Sequence, residues 1–338
     1  MSSSIPAARS RRTFPGIGAV TWEHPADRAA LQTLRSVPGA EDVIKKVLAM
    51  IGGERGIRLL FQGDAVRVGP EQYPRLWTLH TEVCTTFDWE KVPELYVSQT
   101  PFVNAGAYGI DEPFIVLHSA AIELLNDDEM RVLISHEMGH VISGHSLYRT
   151  IAAILAVISL GALPALAGIA LLPVRLAFLE WSRKSELSSD RAGLLGSQDI
   201  LATQRVFMKL AGGGRGEHFV GQLNVDAFIT QANEYATTNE GLDVVYKLLA
   251  TLGLTHPMST VRAGELQAWV ASGDYERILR GEYVHRGAET RERPLKDDLA
   301  AASRHYAAGA RDVASQVADA AKGVAERVGE AFRQAQKS

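Results

Sequence analysis

In His136-Glu137-Met138-Gly139-His140, two imidazoles stand four residues apart with a carboxylate beside the first. On an α-helix this spacing sets both rings on one face, about one turn apart, where they can bind a single metal ion. Glu137 projects beside them and can reach a metal-activated water, the arrangement of a zinc hydrolase. So short a pattern also arises by chance, and the elements around it decide between a metal site and a helix with two surface histidines.

Those elements favour the metal site. Asn126 or Asp127 caps a helix whose first turn is acidic, Asp127-Asp128-Glu129. Met130, Val132, Leu133, Met138, Val141 and Ile142 follow near helical spacing and predict a helix that is at least partly buried. Residues 114–117, just upstream, read as a strand. Catalytic zinc takes three protein ligands and keeps one position for water or substrate, so a third donor is needed. One known arrangement sets a third histidine six residues beyond the second, but the later histidine here is His145, five residues on. Its place about 140° around the helix from His140 assigns it a structural role.

Glu186 and Asp190 supply a better donor. They are four apart and share one face of an expected helix. One carboxylate can bind zinc while the other orients a ligand histidine through its ring N–H. The competing reading is an exposed helix whose charges pair locally, for example Arg183 with Glu186. That reading leaves the histidine pair unexplained.

With these residues in place, the chain resembles the M48-type gluzincin metallopeptidases, the family of the CAAX prenyl endopeptidases and the HtpX-like peptidases. The hallmarks stand in family order: the HExxH helix from His136 to His140, the ExxxD helix from Glu186 to Asp190, and a late His-Pro segment from His256 and Pro257 to Arg262. The stretch Phe102-Val103-Asn104-Ala105-Gly106-Ala107-Tyr108-Gly109 is similar to the Asn-Ala segment before the zinc helix in that family. The resemblance implies that His136, His140 and Glu186 bind one zinc ion per chain, with Glu137 as general base. It implies that Asp190 holds a ligand histidine, that His256 stabilises an oxyanion and that Arg262 is an ion-pair partner. It also implies that Asn104 and Ala105 lie on an edge strand that aligns the substrate backbone. Gly106 replaces a commonly bulkier residue, which bears on substrate preference and not on the reaction.

The chemistry that follows is peptide hydrolysis by zinc-activated water, with Glu137 taking a proton and passing it to the leaving amine. An edge over residues 104–108 would hold an extended peptide by β-addition, with main-chain hydrogen bonds tolerant of sequence. This suits cleavage within extended or unfolded polypeptides.

Between Arg149 and Arg175 the chain carries no charge. The run is long enough for one membrane helix of about 20 residues, yet it separates His140 from Glu186, which must meet on one metal. A single crossing would put them on opposite sides of the bilayer, and two crossings would need about twice that length. Gly161 and Pro164 predict instead an apolar helical hairpin over 150–174, packed into the protein or lying on a membrane surface. Arg149, Arg175, Arg183 and Lys184 flank it and offer contacts to anionic lipid.

Around this core, the pattern predicts a helix at 42–50, a strand pair at 57–61 and 65–68 about Gly63-Asp64, and a helix at 73–84. Strands follow near 94–98, 104–108 and 114–117. The chain after Asp190 reads as mainly helical, broken at Gly212-Gly213-Gly214, which lacks the Lys-Ser/Thr ending of a phosphate loop. Val313, Val317, Val324, Val328 and Phe332 give a long terminal helix a narrow apolar stripe.

The 338 residues carry 46% hydrophobic side chains and a formal charge of -4, which describes a mildly acidic globular protein with no general nucleic-acid footprint. Cys84 is the single cysteine, so no intramolecular disulfide forms, as in a reducing compartment. No apolar run follows Arg11-Arg12, so no secretory or twin-arginine signal is expected and the reading is cytoplasmic. Peripheral contact at the inner face of the membrane, through 150–174 or the C-terminal helix, is the variant of that reading.

The expected organisation is a partly disordered N-terminal extension over 1–50, a peptidase domain over 51–285 and an amphipathic, Ala-rich helical tail over 286–338. The expected fold is α+β and predominantly helical, of gluzincin type, with a small sheet beside the HExxH helix. The expected function is a zinc-dependent endopeptidase with protein or peptide substrates. Its rival is an inactive or latent zinc-binding interaction module.

Overall fold

The computed structural model describes residues 11–50, 52–159, 165–214, 216–219, 221–238 and 256–288. The chain opens with helices α1 (Pro25–Ser36), α2 (Ala40–Met50) and α3 (Gly53–Gln62), followed by strand β1 (Ala65–Arg67) and helix α4 (Pro74–Thr86). Strands β2 (Glu94–Ser98), β3 (Ala105–Tyr108) and β4 (Phe114–His118) come next. The remainder is helical: α5 (Ser119–Leu124), α6 (Asp127–Ile142), α7 (Ser146–Ser159), α8 (Ala165–Ser197), α9 (Ile200–Gly212) and α10 (Val225–Thr237). Helices α11 (Ser259–Ala271) and α12 (Asp274–Leu279) close the described part. The fold is α+β and predominantly helical, with one small sheet.

The sheet runs β1-β2-β4-β3, with β2 and β4 parallel and the outer pairs antiparallel. Its period-two alternation separates two cores. Leu95, Val97, Ala105, Ala107, Ile115 and Leu117 enter the main core together with Met130, Ile134 and Met138 of α6. The opposite face presents Tyr96, Phe114 and Val116 to Ile57 of α3. β3 lies at the sheet edge, paired with β4 from Ala105↔Leu117 to Tyr108↔Phe114.

Residues 57–61, expected as a strand, lie instead in α3. Ile57 and Phe61 are one turn apart on the face that packs against the sheet, and Glu54 pairs with Arg58 at 3.3 Å in i,i+4 register. A short apolar run does not separate strand from helix by periodicity alone. The charge spacing was the readable signal. Strand β1 at Ala65–Arg67 forms as expected but pairs with β2.

The N-terminal region also differs from expectation. Phe14, Ile17 and Trp22 are buried in the main core, and Leu34 and Ala40 pack with α7 and α8 in a second cluster. His24 caps α1, its Nδ1 accepting from the Ala26 amide at 3.1 Å, with Pro25 at the first helical position. Three large apolar side chains in 14–22 are buried, each contributing about 1.5–3 kcal/mol toward ordering the segment. Residues 1–10 lie outside the described residues.

Helices α7 and α8 flank residues 160–164, so the expected turn of the apolar hairpin lies outside the described residues. α8 is one helix of 33 residues, about 50 Å long. The second apolar arm and the Glu186–Asp190 segment are therefore one element. Among the described residues no helix is long and apolar enough to cross a membrane. The expected terminal helix falls within 289–338, outside the described residues.

Candidate metal centre

Helix α6 is anchored before it reaches its histidines. Asn126 and Glu129 form a reciprocal capping box, each side chain accepting the other's amide at 3.0 Å. The Glu129 carboxylate is buried and held by Lys209 at 2.7 Å and Arg205 at 3.2 Å, both from α9. α8 then crosses α6 at very short range. A Cβ added at Gly139 would lie 2.6 Å from Ala192 Cβ, and one at Gly196 would lie 2.1 Å from Ser135 Oγ. Small residues at this crossing bring the backbones together, which sets Glu186 and Asp190 opposite the two histidines.

His136 Nε2 is 3.3 Å from Glu186 Oε2, and His140 Nε2 is 3.3 Å from Glu186 Oε1. One donor atom from each of the three residues lies within 4.8 Å of the others, and all three are buried. On its far side His136 Nδ1 meets Asp190 Oδ1 at 3.0 Å. Asp190 in turn accepts from Arg262, at 2.8 Å from Nε and 2.5 Å from Nη2. Arg183, expected in the rival reading to pair with Glu186, meets Glu180 instead.

The donor set suits a divalent cation. Glu186 Oε2 is buried with no hydrogen-bond donor. Oε1 accepts from Arg149 Nη1, which also lies 3.0 Å from His140 Nε2. A positive group therefore already sits where lone pairs of His140 and Glu186 converge. Two imidazoles and one carboxylate form a three-ligand N/O set with the composition of a catalytic zinc site. The sequence offers Arg149 to anionic lipid or to solvent; the structure instead turns its largely buried side chain into this site. Arg183 and Lys184 both pair with Glu180.

The charges organise the protonation states. Burial would raise the Glu186 carboxyl, but His256, Arg149 and His136 outweigh it and hold the group well below its usual range. Burial favours neutral His136, yet Glu186 and Asp190 raise it to about 9. His140 is held well below its ordinary value by burial and then by Arg149. Glu137 is buried with Oε2 unpartnered, and burial pushes its carboxyl up against the opposing pull of Arg149 and His136.

His145 is outside the ligand set, but the helical-wheel placement is corrected. α6 stops at Ile142, Gly144 takes φ +71°, and the chain doubles back so that the His145 amide donates to His140 O at 2.9 Å. The His145 ring then lies with Nδ1 3.1 Å from His140 Nδ1. Its Nε2 is 3.2 Å from Asp27 Oδ2 on α1. Sequence reasoning missed Asp27 and Arg149, since nothing local in either marks a long-range contact.

A cleft of about 330 Å³ opens over these groups. Its floor holds His136, Glu137 and Glu186, one wall is Phe102–Ala105, and the other is apolar Val206, Phe207 and Leu210 of α9. His256 borders the cleft, with Nε2 3.5 Å from Glu186 Oε1. Glu186 favours its charged form, but burial and the cations Arg149 and Arg262 prevail and lower it to about 4. Asn104 and Ala105 line the cleft at the start of edge strand β3, and Asn104 Oδ1 accepts the Ala105 amide at 2.9 Å. Gly106 leaves room for Tyr108, whose ring atoms would lie 2.7 Å from an added Cβ.

Comparison with known proteins agrees with this geometry. The profile of peptidase family M48 matches residues 70–270. The chain is 35% identical to the plastoglobule-localized metallopeptidase 48, chloroplastic, of Arabidopsis thaliana over 272 residues, 79% of this chain and 77% of the relative. A protease HtpX homolog of Helicobacter pylori is 45% identical over 51 residues, 14% of this chain and 16% of that protein. The protease HtpX homolog 2 of Saccharolobus solfataricus is 35% identical over 71 residues, 20% of this chain and 22% of that protein. No solved structure gives a match.

Proposed function

The chain belongs to peptidase family M48, and from that premise we propose that it is a zinc endopeptidase that cuts extended or unfolded polypeptides. Membership makes it a metallopeptidase with protein or peptide substrates. The finer reading rests on one observation: the buried His136, His140 and Glu186 donors converge near Glu137, whose Oε2 has no hydrogen-bond partner, and His136, Glu137 and Glu186 line a cleft that a sheet edge also borders.

In this reading His136, His140 and Glu186 hold one zinc ion. When bound, the metal supplies a Lewis acid that polarises water and the scissile carbonyl. Glu137 takes the proton of the attacking water on its free oxygen and delivers it to the leaving amine. His256 at the cleft border stabilises the oxyanion that develops on the substrate carbonyl. Asp190 accepts from His136 Nδ1 and so keeps the Nε2 lone pair turned inward, while Arg262 holds Asp190 charged. Asn104 and Ala105 receive the substrate backbone along β3.

We assign residues 51–285 to the peptidase domain, with residues 11–50 packed onto it, and 286–338 to a tail. A cytoplasmic location is part of the proposal, with peripheral contact at the inner face of the membrane as its variant; the Arabidopsis relative is localized to plastoglobules. The rival reading of a latent or inactive module gives the buried Glu137 carboxyl no task.

Digestion of unfolded casein, with mass spectrometry of the products, tests the proposal. Internal cuts that vanish with 1,10-phenanthroline and return with zinc support it. Trimming from one terminus alone would replace endopeptidase with exopeptidase, and restoration by another metal only would replace zinc.

A further inference from the structure

We propose that Asp27 and His145 are positioning residues for the metal, forming a relay from the N-terminal helix that fixes the ring of His140. The inference rests on the metal-centre reading above. The observation behind it is a difference between the two ligand histidines. His136 rests its Nδ1 directly on the Asp190 carboxylate at 3.0 Å. His140 has no carboxylate at that position. Its Nδ1 faces His145 Nδ1 at 3.1 Å, and His145 Nε2 faces Asp27 Oδ2 at 3.2 Å.

A single proton arrangement satisfies both contacts with neutral rings. Asp27 is an acceptor, so His145 carries its proton on Nε2 and offers the Nδ1 lone pair. His140 then donates from Nδ1 and is left with its Nε2 lone pair facing Glu186 and the metal position. Asp27 thereby selects the metal-binding tautomer of His140 through one intervening imidazole, the task a carboxylate usually performs at first hand.

The surroundings keep each member of the relay in place. Asp27, His145 and His140 are 2%, 2% and 0% exposed, so water does not compete for their hydrogen bonds. Ser188 of α8 donates to Asp27 Oδ2 at 2.6 Å and accepts the His24 amide at 2.9 Å, which ties the carboxylate to the ligand helix. Trp181 packs edge-on against the His145 ring, centroids 5.6 Å apart at 85°. Asp27 lies outside residues 70–270, the part the family profile matches. The N-terminal helix is thus part of the metal site's support.

The test measures zinc affinity by chelator competition on the full-length chain, with no activity readout. Asp27→Ala and His145→Leu are each expected to weaken zinc binding about 10–100-fold. The double variant is expected to bind no more weakly than His145→Leu, because Asp27 acts only through that ring. Leu34→Ala loosens α1 in the core without touching the relay and should lower stability while leaving affinity unchanged. Should Asp27→Ala fail to fold, ring-nitrogen NMR of the wild type carries the test: His145 must be the Nε2–H tautomer. Wild-type affinity in Asp27→Ala, an undiminished Asp27 effect in the His145→Leu background, an affinity loss in Leu34→Ala matching that of Asp27→Ala, or an Nδ1–H His145 would overturn the relay and leave the metal centre standing. A wild type that binds no zinc would remove both.

Discussion

Asp190 serves two partners, and replacing it with alanine separates stability from metal binding. Asp190 and Arg262 are 3% and 7% exposed and joined by two hydrogen bonds of 2.5 and 2.8 Å. Removing the carboxylate strands a buried guanidinium, which costs about 3–5 kcal/mol. Glu186 remains 3.6 Å from Arg262 Nη2 and compensates in part, so the lower end of that range, about 3 kcal/mol, is expected. Independently, His136 Nδ1 loses its acceptor, and zinc affinity should fall about 10–100-fold. Adding Arg262→Met removes the stranded charge and should recover about 1–3 kcal/mol of stability. Zinc affinity should stay below that of the wild type, since His136 is still unsupported, although loss of the Arg262 charge 3.6 Å from Glu186 Oε2 relieves part of the repulsion of the metal. Urea denaturation of the metal-free protein reads the first quantity and chelator competition the second. If affinity in the double variant returns to the wild-type value, Asp190 does not act on the metal through His136 and the reasoning fails.

Three further outcomes are expected. Gly139→Ala forces a Cβ to 2.6 Å from Ala192, so the α6–α8 crossing must open, at about 1–3 kcal/mol; an unchanged melting temperature would contradict the close approach. Arg149→Met removes a cation that sits on His140 and Glu186 lone pairs. Two unit charges about 4 Å apart repel by about 4 kcal/mol at an effective dielectric of 20, so zinc affinity should rise at least about tenfold, and a fall would show that Arg149 supports the site. In the metal-free protein His136 is raised from 6.5 to about 9 by Glu186 and Asp190 against the effect of burial. That raised group stabilises the metal-free fold fully below 6.5, and the contribution is lost as pH climbs through about 9. Zinc needs the neutral ring, so log affinity should gain about one per pH unit across this window, with one proton released in calorimetry; a flat profile would contradict it.

Much of the site was legible because its parts are locked to helix periods. Four-residue spacing set His136 with His140 and Glu186 with Asp190 on common faces, and the structure brings the two faces together with Arg262 and His256. The strands expected near 94–98, 104–108 and 114–117 form at 94–98, 105–108 and 114–118, each within a residue at either end. At the site, what failed had one of two physical causes. Rules for regular helices were applied past a helix end at His145, where Gly144 in the left-handed region reverses the chain. Contacts distant in sequence leave no local signal, which hid Asp27 and the inward turn of Arg149. Besides the Glu54–Arg58 spacing, a second readable signal was passed over: Ser135 and Gly139 on α6, facing Ala192 and Gly196 on α8, are small residues spaced for a close crossing.

The central claim is that Glu137 acts as the base at a zinc centre built from His136, His140 and Glu186. The most direct test compares cleavage of an unfolded protein by zinc-loaded wild type and by Glu137→Gln, with zinc content measured in both. Cleavage by the wild type and its loss at equal zinc in the variant is the predicted result. Equal cleavage by a fully zinc-loaded Glu137→Gln protein would contradict the account.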